Sequence, residues 1–173
     1  MSICMIQSIF TFDKLLQRLQ LGKEVTPFVI WRENDLFGTH DNPVKIDIPC
    51  LFLCLDGEMQ LDINLQSYRF NREHLLCFIT PCACRIVSRS PGFRCVGLLL
   101  SKSFWRQLVL AERTLGKIAI RDAFIAVNDD EHGRLTRFYE LLCLCADAPG
   151  LRDSADTLYP LIPVSYTHLR AHE

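Results

Sequence analysis

The sequence predicts a mainly β fold, a small antiparallel β-barrel followed by C-terminal amphipathic helices. After the Asp56-Gly57 pair, polar and apolar residues alternate over 58–65, which indicates a strand with one exposed and one buried face. Residues 50–55 are apolar throughout, which is typical of a strand buried on both faces. Short strands and turn signals then recur at the spacing of a sandwich or barrel, about eight strands in all.

The first 22 residues are predicted to form an N-terminal arm with a short helix. The helix is expected over 13–20 and is ended by Gly22. Residues 25–32 are rich in β-forming side chains, and Pro27 restricts that strand to a sheet edge or a strand start. A further alternating strand is expected over 44–48.

The predicted barrel spans 23–100 and contains a central meander. Asp56-Gly57 between two strands is a strong hairpin signal, because a tight primed turn requires positive φ. Residues 66–70 place Tyr68 and Phe70 on one face of the next strand. Three more strands complete the barrel, over 74–79, 83–89 and 93–100.

The period changes to that of helices at Ser101, a good N-cap, and a helical region is predicted over 101–162. Asn128 to Glu131 resembles a capping box, which predicts a second helix at about 129–147. One face of it carries a stripe of candidate dimer residues. Two roles are open for this stripe, a dimer seam and packing back onto the barrel, and both can hold at once: Leu135, Phe138, Tyr139 and Leu142.

Composition narrows the class of protein. The 173-residue chain has a formal net charge of −1 and no basic cluster of the kind that a freestanding nucleic-acid binder carries. No run approaches the roughly 18 consecutive apolar residues of a membrane helix, and no secretory signal precedes the first strands. We therefore expect a cytoplasmic protein of one domain with helical appendages.

Nine cysteines are many for this length. Their number is odd, most lie within apolar strand or helix patterns, and the pairs Cys82/Cys84 and Cys143/Cys145 lack the usual spacing of zinc ligands. We expect buried free thiols rather than disulfides, a metal site or redox chemistry.

The last residues, 163–173, are expected to be non-native. Val164 to Glu173 resembles the translation of an adapter used in sequencing libraries, read through by an open frame. The natural chain is therefore expected to continue beyond Ile162, which would make this sequence an N-terminal fragment.

Two stretches resemble the motifs of the cupin family. Residues 55–58 look like the end of the first cupin motif, and 81–86 fall where the second motif lies. Metal-dependent cupins need a His-x-His pair, a Glu and a second-motif His, whereas here His40 stands alone, Ile86 occupies the second-motif position and Ala83 replaces a Gly. The resemblance thus implies a double-stranded β-helix without a metal site, a cofactor or catalytic residues.

A cupin-like barrel without metal ligands, followed by helices, resembles the N-terminal sensory domain of AraC-type transcription regulators. The phrases at 54–68, 75–81 and 101–105 look like members found in gut Bacteroidetes, and the resemblance covers about 25–162. It implies that the barrel binds a small effector, a sugar being one candidate, or receives the arm, and that the helices form a homodimer. DNA binding would belong to C-terminal helix-turn-helix units that this sequence lacks.

Six residues are candidates for the effector pocket: Trp31, His40, Phe52, Tyr68, Phe70 and Arg85. The alternatives are that the aromatic residues only fill the core, that His40 is a solvated loop residue, and that Arg85 and Arg94 are solvated on the outer face. Two other functions remain open. A metal-dependent cupin enzyme, an isomerase or dioxygenase, would contain bound metal, and a stand-alone sugar-binding module would end soon after Ile162.

Overall fold

The computed structural model describes residues 8–20, 27–32, 42–79, 81–111 and 123–147. Within these ranges, ten strands and three helices occur in chain order: β1 Ser8–Thr11, α1 Phe12–Arg18, β2 Phe28–Trp31, β3 Val44–Asp47, β4 Cys50–Asp56, β5 Met59–Ile63, β6 Gln66–Phe70, β7 His74–Phe78, β8 Cys82–Arg89, β9 Arg94–Leu100, α2 Lys102–Ala111, β10 Phe124–Ala126 and α3 Asp129–Asp147.

The strands form two five-stranded sheets. The first sheet has the order β1-β3-β8-β5-β6, and the second has the order β10-β7-β4-β9-β2. Pairing is antiparallel except between β1 and β3, which run parallel. The mainly β prediction is confirmed, but the described strands form two separate sheets instead of one closed ladder. Apolar side chains from both sheets meet in one core cluster, so the architecture is a sandwich.

The second sheet is covered on both faces. On β4, Cys50, Phe52 and Cys54 face the first sheet, whereas Leu51 and Leu53 face the helices. The first five residues of β4 are all buried, as its continuous apolar run predicted. The molecule therefore has three layers, and the second sheet is the middle one.

The hairpin predicted at Asp56-Gly57 is wrong. β4 belongs to the second sheet and β5 to the first, so this turn carries the chain from one sheet to the other. The connection from β8 to β9 makes the reverse crossing directly beside it. The N–H of Glu58 donates to Ser90 Oγ at 3.0 Å, and the N–H of Ser90 donates to the Glu58 carbonyl at 2.9 Å. We call residues 56–58 and 90–93 the paired corners.

The hairpin of this region lies one strand later, between β5 and β6. Its two turn residues, Asn64 and Leu65, have φ values of 48° and 71°, as a two-residue primed turn requires. The side chain of Asn64 accepts from the Ala83 N–H at 3.0 Å and so ties the turn to β8. The polar and apolar residues of the sequence alternate through Leu65, so the pattern predicted a strand that continues past its observed end at Ile63.

Both predicted helix caps are confirmed. Ser101 Oγ accepts from the Phe104 N–H at 3.2 Å at the start of α2. At α3, Asn128 Oδ1 accepts from the Glu131 N–H, and Glu131 Oε2 accepts from the Asn128 N–H, which is a complete capping box. In the described part of the chain, none of the helices is long and apolar enough to cross a membrane.

The described part of the N-terminal arm is built into the sandwich. β1 extends the first sheet, and α1 follows it directly with Thr11 as its N-cap. Leu15 and Leu16 of α1 are buried and belong to the cluster between the sheets. The helix predicted over 13–20 is thus present at 12–18, and it closes over the core between the sheets.

Candidate functional site

A row of five residues crosses the inner face of the second sheet. Strand register places Trp31 beside Gly97, Gly97 beside Phe52, Phe52 beside Leu76, and Leu76 beside Phe124. The Phe52 ring lies where a Cβ of residue 97 would be, so this position accommodates glycine and no larger residue. The row therefore holds an aromatic side chain at each edge and one in the middle.

Aromatic residues of the first sheet meet the Phe124 end of this row. The Tyr68 ring stacks on Phe124 with centroids 4.6 Å apart, and Phe70 contacts the same ring edge to face at 6.2 Å. Phe70 is fully buried, whereas Tyr68 is half-buried and its hydroxyl donates to Gln66 Oε1 at 2.7 Å. Four of the six predicted pocket residues, those at 31, 52, 68 and 70, therefore face the space between the sheets.

Trp31 is the polar exception at the other end of the row. Its side chain is 4% exposed, and no acceptor among the described residues bonds its indole Nε1–H. The guanidinium of Arg18 lies over the ring, 5.4 Å from its centroid, so α1 covers this end of the row. A buried donor without a partner destabilises the fold by about 1–3 kcal/mol, which makes this N–H the most unusual group of the core.

Thiols occupy much of the remaining inner surface. Cys50, Cys54, Cys82, Cys84 and Cys95 all belong to the cluster between the sheets and are free. Burial raises the thiol pKa of Cys54 to about 11 and those of Cys82, Cys84 and Cys95 to about 12, and it also raises the pKa of Cys50. They are therefore protonated near neutral pH and are poor nucleophiles and metal ligands.

No group of three or more His, Cys, Asp or Glu side chains in the described ranges could hold a metal ion. The expectation of buried free thiols is confirmed for Cys50, Cys54, Cys82, Cys84 and Cys95, and Cys77, on the helix side of the second sheet, likewise forms no disulfide. Cys4 and the side chain of Cys145 lie outside the described residues.

Of the two other predicted pocket residues, His40 lies outside the described residues, and Arg85 does not face this space. Arg85 lies on the outer face of the first sheet, where it contacts Asp62 at 2.5 Å. Arg94, the first residue of β9, contacts Asp56 at 3.6 Å. Both arginines occupy outer positions, as the alternative interpretation expected.

The outer face of the first sheet carries paired charges. Arg69 pairs with Glu58, and Asp62 accepts from the Ser67 hydroxyl and from Arg85. The hydrogen bond from Ser67, and then that from Arg85, lowers the pKa of the Asp62 carboxyl. An open groove of about 580 Å³ lies here, lined mainly by polar residues: Glu58, Gln60, Ser67, Tyr68, Arg69, Ser88, Arg89 and Ser90.

The predicted dimer stripe packs on its own domain. Leu135, Tyr139 and Leu142 are buried against the outer face of the second sheet, and Phe138 packs partly against the same cluster. This is the second of the two arrangements that the sequence left open. Three of the four residues are thus already covered within this domain, and Phe138 is partly exposed.

Two side chains of α3 bond the backbone of β4. Tyr139 Oη donates to the Leu51 carbonyl at 3.1 Å, and His132 Nε2 lies 2.7 Å from the Cys54 carbonyl, to which it donates. Sequence reasoning missed His132, although it continues the buried stripe three residues before Leu135. Helix α3 is thus attached to the strand whose other face carries Phe52.

The solvent side of α3 is partly apolar. Leu141 is 45% exposed and Leu144 is 69% exposed, and they lie three residues apart on one face. On α2, Leu110 is 81% exposed.

The fold is similar to that of ToxT from Vibrio cholerae. An apo ToxT variant superposes with a TM-score of 0.54 at 14% sequence identity, over 85% of this chain and 57% of that one. ToxT bound to a naphthalenyl butenoic acid gives a TM-score of 0.40 at 16% identity, over 85% and 54% of the two chains. A further ToxT structure gives 0.40 at 15% identity, over 85% and 54%.

The chain spans little more than half the length of these ToxT chains. No protein-family model and no curated protein matches it by sequence.

Proposed function

We propose that this chain is the effector-sensing and dimerisation domain of an AraC-type transcription regulator, with the interior between the two sheets as the effector site. The fold is shared with ToxT, which is an AraC-family regulator. The observation that carries the proposal is the buried indole N–H of Trp31, which lacks an acceptor among the described residues. Buried donors in folded proteins nearly always have a partner, so this N–H calls for an explanation, and an acceptor on a bound ligand supplies one.

The interior suits binding better than catalysis. Its described inner faces carry rings, aliphatic chains and protonated thiols, and the buried His132 lies on the helix side of the second sheet. General acid–base or metal chemistry requires titratable or ligating groups that converge on one point. The function is therefore non-enzymatic sensing.

Strand β4 transmits the state of the interior to the helices. Its inner face carries Phe52, and its carbonyls at 51 and 54 accept the two bonds from α3. A ligand that displaces Phe52 therefore acts on the strand to which α3 is attached. If α3 has two positions relative to β4, the ligand shifts the equilibrium between them only by the difference in its affinity for the two.

The regulator forms a homodimer through the exposed apolar face of α3. Leu141 and Leu144 are apolar and exposed, and the opposite face of the helix is already covered by the second sheet. In a two-fold dimer, the same face of a second copy would cover both leucines. We expect the wild-type chain to have a mass near twice 19.9 kDa in solution.

The dimer is tested by substituting Leu141→Glu and Leu144→Glu together and measuring the mass by light scattering. Burying two carboxylates is costly, so the variant is expected to be monomeric at concentrations where the wild type is a dimer. Leu65→Glu is the control, because Leu65 is 90% exposed in a distant turn. A monomeric wild type, or a double variant that stays dimeric, contradicts this interface.

DNA binding belongs to a C-terminal part that follows this domain in the natural protein. Sequencing the native gene past the codon for Ile162 tests the assignment to a regulator. We expect about 100 further codons with two helix-turn-helix patterns and a basic charge balance. A stop within a few codons, or a domain of another class, overturns the assignment.

A further inference from the structure

We infer that the effector is a mainly apolar molecule carrying one uncharged hydrogen-bond acceptor, a carbonyl oxygen, that binds the indole N–H of Trp31. This inference rests on the proposed sensing function and names the class of ligand that its interior takes.

The acceptor follows from the chemistry of the indole. A tryptophan Nε1–H donates and cannot accept, so only an acceptor satisfies it. Trp31 is 96% buried and its indole bonds no acceptor in the described part of the chain, although all four residues of β2 pair with β9. Among the described residues, this indole nitrogen is the one buried side-chain nitrogen or oxygen without a hydrogen bond. A ligand oxygen would form that bond, and the bond would orient the molecule.

The ligand is inferred to be mainly apolar because the side chains that surround Trp31 are apolar. Trp31 shares its cluster with Leu15, Leu16, Phe52 and Leu99, all of them buried. A sugar carries several hydroxyl groups, each of which needs a partner when buried, and these side chains offer none. A hydrocarbon body with a single oxygen matches both the lining and the one donor. The sugar expected from the sequence fits the described interior less well.

The ligand is inferred to be uncharged because the charged side chain near Trp31 lies at the surface and not in the core. Arg18 lies over the Trp31 ring, but its side chain is at the exposed surface of α1. The buried side chains around the indole are uncharged, and the thiols are protonated. An ionised group next to the indole would lose its hydration without an opposite charge inside the core, so a neutral carbonyl is favoured.

Access requires α1 to move. Leu15 and Leu16 are inserted into the same cluster, and the helix has only seven residues. A helix this short is held by its packing rather than by its own hydrogen bonds. The apolar body of the ligand would therefore replace contacts of α1, and the movement of the arm would report binding.

Matched pairs of ketones and hydrocarbons test the inference. Acetophenone is compared with α-methylstyrene, and cyclohexyl methyl ketone with isopropenylcyclohexane, because each pair differs mainly in C=O against C=CH₂. The full chain contains two tryptophans, so nitrogen-labelled tryptophan gives two indole signals by NMR. Trp31→Phe, which keeps an aromatic ring and removes the N–H, assigns the signal. Trp105→Phe is the control, since Trp105 packs with the other cluster.

The ketones are expected to move the Trp31 indole proton downfield in a saturable way and to bind about five- to tenfold more tightly than their hydrocarbon partners. Trp31→Phe should bind both members of a pair equally, and Trp105→Phe should keep the preference. Methyl signals of the inner-face leucines report binding independently of the indole.

The two possible failures are distinguishable. If both members of a pair move the leucine methyl signals equally and the indole signal is unchanged, the ligand binds in the interior without a hydrogen bond to Trp31. The inferred ligand class is then wrong, while the interior site stands. If no compound moves the leucine methyl signals, the interior binds no small molecule of this size, and both the inference and the proposed effector site are overturned.

Discussion

Gly57→Ala is expected to lower the free energy of unfolding by about 3 kcal/mol, because two costs coincide at this position. The φ of Gly57 is +71°, a conformation that strains any residue with a Cβ. A Cβ would also lie 2.8 Å from Phe93 Cα and 2.9 Å from Phe93 N. Backbone atoms cannot rotate away as a flexible side chain can, so the paired corners would have to separate. Denaturant unfolding monitored by circular dichroism measures the loss.

Gly92→Ala is the matched control, because Gly92 belongs to the same paired corners. Nothing lies within 4 Å of a Cβ at Gly92. We expect its free energy of unfolding to stay within about 0.5 kcal/mol of the wild type. Equal losses for the two variants would show that the close approach of the corners is not what requires glycine at 57.

The second large effect is a loss of stability in alkaline solution. The four thiols of Cys54, Cys82, Cys84 and Cys95 have their pKa raised from 9.0 to about 11 or about 12 by burial. A raised pKa means that the folded protein keeps protons that the unfolded chain releases. The stabilisation from these thiols is therefore complete below pH 9 and is lost as the pH rises toward 11 to 12.

Between the unfolded and folded pKa values, each such thiol lowers the free energy of unfolding by about 1.4 kcal/mol per pH unit. The four thiols together therefore lower the free energy of unfolding by several kcal/mol near pH 10. Urea unfolding at pH 8 and pH 10, with a phosphine reductant present, measures the difference. Cys84→Ala should reduce this pH-dependent loss of stability by about a quarter, because one of the four thiols is removed. A wild type that is equally stable at both pH values contradicts the argument.

The sequence predicted correctly those features that depend on contacts between residues close together in the chain. The capping box at Asn128 and the N-cap at Ser101 depend on contacts within four residues, and both are present. The turn at Asp56-Gly57 was assigned the positive φ that it has, but to the wrong partner strands. Which strands pair depends on contacts between β4 and β9, some 40 residues apart, and no local pattern reports these.

The candidate site was predicted in part for the same reason. Trp31, Phe52, Tyr68 and Phe70 were recognisable as aromatic residues in strand patterns, and the structure places all four between the sheets. Phe124 was missed because β10 lies between α2 and α3, within the range 101–162 that was predicted to be helical. Its place beside Leu76 is set by register with a strand about 50 residues earlier.

The two faces of β4 have a consequence for how this protein can diverge. Along the strand, Cys50, Phe52 and Cys54 line the interior, while Leu51 and Leu53 contact the helices. Because successive residues alternate between the faces, inserting or deleting one residue would exchange the two sets over the rest of the strand. Substitutions in homologues that change the size of one side chain would leave both faces in place. The number of residues in β4 is expected to stay constant among them.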